Sequence, residues 1–156
     1  GDNDYSFKPE QSPYGYTYKV TSDKGSFVVY NLPSQLPQNM DKEVLSKIRD
    51  AIYFQVLFDP DDEAITNIDF IRFELRKNLP QSKYFQDFVT KNTTKYVFDV
   101  ATCENSSIQS ILLKKGNTTE IKLSKDFNNC IIIEFPEYDT FRIRDILVYS
   151  LWGVEI

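Results

Sequence analysis

The chain has 156 residues, with 41% apolar and 26% charged side chains, a net charge of −5 and no histidine. That length makes one domain, able to bury roughly 70% of the surface its unfolded form would expose, so neither a metal nor a disulfide is needed merely to fold it. Without histidine, Ser-His-Asp and Cys-His catalysis and His-based zinc chemistry are excluded within this chain; scattered lysines and arginines on an acidic background make nucleic acid and anionic membrane poor partners.

Residues 1–13 are polar, contain two prolines and read as a loose lead-in. Opening on Gly1 without a Met, the chain reads as a mature form or an excised domain. Tyr14, Tyr16 and Tyr18 alternate with small or polar residues, a period of two that puts three rings on one strand face. Residues 21–25 supply a turn and Ser26 to Leu32 a second strand. Pro33 and Pro37 mark a connection, since neither could sit in a central strand. Asp41 then caps a helix whose apolar stripe is Val44, Leu45, Ile48 and Ile52, ending near Asp50.

Ile52 to Phe58 and Ile65 to Leu75, rich in β-branched and aromatic residues, flank an acidic turn (DPDDE) and predict a hairpin. One long helix over 41–58 is the alternative for the first arm. Tyr84, Phe85, Phe88 and Val89 fit one face of a short helix within 81–90. Beyond Lys95, five runs (Tyr96 to Thr102, Ile108 to Lys114, Thr119 to Leu123, Cys130 to Phe135, Phe141 to Leu151) are separated by turn-rich segments. The expectation is a single mainly-β domain over 14–156, an antiparallel two-sheet sandwich of jelly-roll type with one or two short helices; α+β is the alternative. No apolar run approaches the ~18 residues of a membrane span.

Tyr14, Tyr16, Tyr18 and Trp152 are candidates to stack on sugar rings, against an inward core face as the alternative. Asp59, Asp61, Asp62 and Glu63 place four carboxylates in five positions, the oxygen-rich chemistry of a structural calcium, although the spacing departs from the helix–loop–helix calcium pattern and a solvated turn accounts for them on solvation grounds alone; no other cofactor is indicated. Cys103 and Cys130 form either a disulfide, if the protein is secreted, or two small buried hydrophobes. Asn92, Asn105 and Asn117 begin Asn-x-Ser/Thr sequons. Asp69 with Glu74, or Glu134 with Asp145, could serve a glycosidase only if held in a cleft. Asp145 lies where an alternating segment becomes continuously apolar, so its burial predicts an ion pair with Arg72 or Arg144.

Phe58-Asp59-Pro60 followed by residues 65–75 resembles the hairpin of β-sandwich domains appended to bacterial cell-surface and membrane-bound glycosyltransferases. Phe141 to Val148 (FRIRDILV) is similar to the closing strand of jelly-roll carbohydrate-binding modules. The scarcity of glycine and the helix at 41–50 depart from that pattern. The resemblance implies a sandwich with an accessory, sugar-binding or scaffold role outside the cytoplasm. The expected function is therefore a non-catalytic extracytoplasmic module, periplasmic or at the cell surface, that binds glycan or serves a larger protein. The alternative is a structural or protein-interaction domain of a bacterial surface lipoprotein.

Overall fold

The computed structural model describes residues 4–13 and 15–156. Strands hold 32% of the residues and helices 28%, so the chain is mixed α/β rather than an all-β sandwich. Two sheets are present, as expected, but only one is purely antiparallel. β1 (Ser6–Ser12), β2 (Gly15–Ser22) and β3 (Gly25–Val29) form a three-stranded meander. Residues 6–12, read as part of a loose lead-in, are thus its edge strand. Pro9 sits within β1 and its side chains face solvent, which blunts that edge against pairing with other chains.

α1 (Lys42–Asp50) forms where expected. The Asp41 side chain accepts from the N–H groups of Glu43 and Val44, and Val44, Leu45 and Ile48 are buried. At its other end Lys83 donates to the carbonyls of Arg49 and Ala51, a cation on a helix C-terminus. β4 (Tyr53–Phe58) follows.

The expected hairpin then fails, because residues 65–77 form helix α2 (Ile65–Lys77). Its sequence carries two patterns at once. Ile71, Phe73 and Leu75 alternate like a strand, while Ile68, Ile71 and Leu75 fall on one helical face. Burial follows the second: those three are fully buried and Phe73 stays 65% exposed. Asp62 favours the helical start by accepting the Ala64 N–H at 2.8 Å.

β5 (Tyr84–Val89), expected as a helix, pairs parallel with β4, so β4, α2 and β5 make a crossover unit. Residues 96–102 contribute only an isolated bridge, Val100 beside Val89. β6 (Ser110–Lys115), β7 (Glu120–Leu123) and β8 (Cys130–Phe135) lie where the sequence placed them. The five-stranded order is β5-β4-β6-β8-β7, parallel except for β7.

The last expected strand is helix α3 (Thr140–Leu151). Every residue from Ile143 to Leu151 is buried, so the helix shows no single apolar stripe because it is enclosed on all sides. Phe27 of β3 stacks on Trp152 (4.8 Å) and meets Tyr149 edge-on (5.9 Å). On the opposite side Arg72 and Arg76 of α2 lie over the rings of Phe58 and Phe85. The helices therefore form a middle layer between the two sheets, and one continuous core runs through all three layers.

A buried polar cluster fastens the layers. Arg144 and Asp145, both fully buried, pair at 2.8 Å, as the sequence predicted for Asp145, and Arg144 also reaches Glu74 of α2 at 3.1 Å. The second oxygen of Asp145 accepts from the backbone N–H groups of Tyr30 and Asn31 at the exit of β3. Desolvation pushes the Asp145 carboxyl above the ordinary carboxylate range against the pull of Arg144.

Candidate functional site

A parallel sheet usually carries helices on both faces. Here the side chains of Phe54, Val56, Phe85, Ile111 and Ile133 point at the helical layer, whereas Tyr53, Gln55, Tyr84, Gln86, Leu112 and Ile132 point the other way, where among the described residues no α-helix lies. What covers this second face is irregular chain around residues 100–109. It is tied to β8 by the Cys103–Cys130 disulfide (Cα–Cα 5.5 Å), so the cysteines are bridged rather than two free hydrophobes.

At the β4/β5 end the face stays open. Tyr53 and Tyr84 are register neighbours whose rings lie 4.7 Å apart, with Tyr84 59% exposed. The Tyr53 hydroxyl donates to the Gln86 side-chain carbonyl at 2.6 Å, and Gln55 accepts from the hydroxyls of Ser106 and Ser110. A depression of about 210 Å³ adjoins Gln55, walled by Val100 to Thr102 and Asn105 to Ile108. Nearer β8, a mainly apolar groove of about 270 Å³ runs over Leu57, Leu112 and Ile132 beside the disulfide.

The acidic turn occupies another place of interest, the C-terminal edge of the parallel strands, where the order reverses between β4 and β6 and ligands of open α/β sheets commonly bind. Its carboxylates are engaged by lysines. Lys91 contacts Asp59 (3.4 Å) and Asp61 (2.9 Å), Lys95 contacts Asp61 (2.5 Å), and Lys115 contacts Glu63 (2.8 Å). Asp62 accepts the Ala64 and Lys115 N–H groups. Hydrogen bonds from Lys95 and Lys91 hold the Asp61 carboxyl down at about 2. Among the described residues no group of three or more acidic or cysteine side chains is arranged to hold a metal ion.

Of the residues singled out as a sugar platform, Tyr16, Tyr18 and Trp152 have different surroundings. Tyr14 lies outside the described residues. Tyr16 is 67% exposed at the end of β2, while Tyr18, on the face shared with Val20, packs on the core. Trp152 spends one ring face on Phe27 and its indole N–H on the Asn78 carbonyl (2.7 Å). The carboxylates considered for hydrolysis are likewise committed, Asp69 to Arg72 and Tyr96, Glu74 and Asp145 to Arg144. Burial and the Asp69 hydrogen bond push the Tyr96 hydroxyl up to about 12. All three sequon asparagines are exposed, Asn92 and Asn117 in loops and Asn105 at the end of a short 3-10 turn.

Sequence reasoning does not join Tyr53 and Gln55 to Tyr84 and Gln86, because a helix over 81–90 would keep the latter pair off the sheet. The alternation of Tyr84, Gln86 and Phe88 with Phe85, Asp87 and Val89 was the available signal. No family model, no curated protein and no solved structure matches this chain.

Proposed function

We propose that the chain is a non-catalytic, extracytoplasmic binding module, accessory to a larger protein, and that its working surface is the helix-free face of the five-stranded sheet. The observation that carries this reading is that face itself: a parallel sheet left without a helical cover, with an exposed tyrosine pair at its open end. The disulfide supports a working place outside the reducing cytosol. The non-catalytic part is supported by the engagement of the conspicuous carboxylates: Asp61 and Glu63 of the acidic turn are held by lysines, and Glu74 and Asp145 by Arg144.

Hydroxyl-radical footprinting of the isolated chain and of the same chain in its native surroundings tests this. Tyr84 should react freely in the first and be protected in the second, while Tyr138, 80% exposed next to α3, reacts in both. Equal labelling of Tyr84 in the two settings would remove the reading.

A further inference from the structure

We propose that the open corner formed by Tyr53, Gln55, Tyr84 and Gln86 is a binding site for a neutral saccharide; this rests on the reading of the helix-free face as the working surface. Three observations carry it. The first is a preset ring. The Tyr84 ring lies against that of Tyr53, centroids 4.7 Å apart and planes tilted by 32°, and remains 59% exposed, while the Tyr53 hydroxyl donates to Gln86. A tyrosine held in this way offers an apolar surface with a polar tip at little conformational cost, which suits the C–H face and hydroxyl rim of a pyranose.

The second is a pair of free amide donors. Gln86 and Gln55 use their side-chain oxygens on Tyr53 and on Ser106 and Ser110, and their NH₂ groups make no hydrogen bond within the described residues. They project from neighbouring strands, about 5 Å apart in the sheet direction, beside the 210 Å³ depression, whose lining includes Thr102 and Asn105. Sugar hydroxyls are acceptors and donors that such groups satisfy.

The third is the absence of charge. In a chain with 26% charged residues, neither the depression nor the outward positions of β4 and β5 contain an Asp, Glu, Lys or Arg. On this face the strand charges, Lys114, Lys122, Glu120 and Glu134, lie beyond it, at the far end of β6 and on β7 and β8. A nucleotide, a phosphorylated ligand or an acidic polysaccharide would need cations here. A charged protein surface would leave its own charges desolvated and unpaired.

Native affinity electrophoresis in gels containing soluble neutral polysaccharides (a mixed-linkage glucan, xyloglucan, galactomannan, glycogen) tests the proposal, with a sulfated polysaccharide as the charged probe. At least one neutral polymer should retard the chain, and raising the salt should leave that retardation unchanged. Tyr84→Ala should weaken it about tenfold while Tyr138→Ala leaves it intact; circular dichroism confirms that both variants fold. No retardation by any neutral polymer, equal retardation of Tyr84→Ala, or binding confined to the sulfated polymer would overturn the proposal. If, in addition, the chain self-associates in sedimentation and Tyr84→Ala abolishes that, the saccharide falls but the face stands as the working surface. If Tyr84 is also labelled equally in the native setting, both fall.

Discussion

The two faces of the five-stranded sheet share a backbone and differ in everything attached to it. Toward the helices, Phe54, Val56, Ile111, Ile133 and Phe135 are within 1% of full burial, and every charge among them is paired. On the other side Tyr53, Leu112 and Ile132 are only half-buried, and the cover is loop chain pinned by one disulfide. The first face is where the hydrophobic free energy of the fold resides. The second retains apolar and aromatic surface that folding has not used, which is why it is the better place to look for function.

Perturbations should expose that asymmetry. Arg144→Ala strands Glu74 and Asp145 in the middle layer, and chemical denaturation should show a loss of about 3–5 kcal/mol or no folded protein. On the open side the corresponding fastening is the disulfide. Replacing both cysteines by serine, across a separation of 27 residues, should cost about 3 kcal/mol by loop-closure entropy and loosen the 100–109 segment first, visible in hydrogen exchange.

Adjacent residues on β6 give the sharpest pairwise comparison. Ile111→Ala faces the helices and should cost about 2–5 kcal/mol in a urea titration. Leu112→Ala faces the groove, and about 1 kcal/mol is expected. Equal costs would mean that the open face is packed as tightly as the closed one.

The smallest effect concerns acid. Asp61, held at about 2 by Lys95 and Lys91, contributes stability above its ordinary value of 3.8 that is lost as the pH falls toward 2. Asp145 runs oppositely: its carboxyl is raised by burial, so its contribution is fullest in acid and declines as the pH rises through the raised value. Asp61→Asn should therefore lower the denaturation midpoint slightly at neutrality and flatten its fall between about pH 4 and pH 2, so that variant and parent converge in acid.

How much of this was legible in the sequence depended on whether a segment's neighbours were local. α1 could be read because Asp41 caps it and its stripe faces one way; β6, β7 and β8 could be read from short β-branched runs between turns. The Arg144–Asp145 pair followed from a carboxylate placed among apolar residues, although the element around it is a helix. α3 was misread because a helix enclosed by two sheets loses its 3.6 period and looks like a buried strand. α2 was misread because Ile71, Phe73 and Leu75 alternate by coincidence. The candidate site was hidden for a different reason. Tyr53 and Tyr84 become neighbours only through parallel pairing across α2, and no local pattern announces a contact made by tertiary topology. Of the tyrosines that alternate conspicuously near the start of the sequence, Tyr16 and Tyr18 belong to β2, where Tyr16 is exposed and Tyr18 packs on the core.

The central claim, that function resides on the helix-free face, is tested most directly by mapping amide and side-chain NMR shifts of the labelled chain during titration with a neutral polysaccharide that retards it. The account predicts shifts confined to Tyr53, Gln55, Tyr84, Gln86 and the 100–108 segment, including the glutamine NH₂ signals. Shifts centred instead on the acidic turn at 59–63, or on Trp152 and the three-stranded sheet, would contradict it.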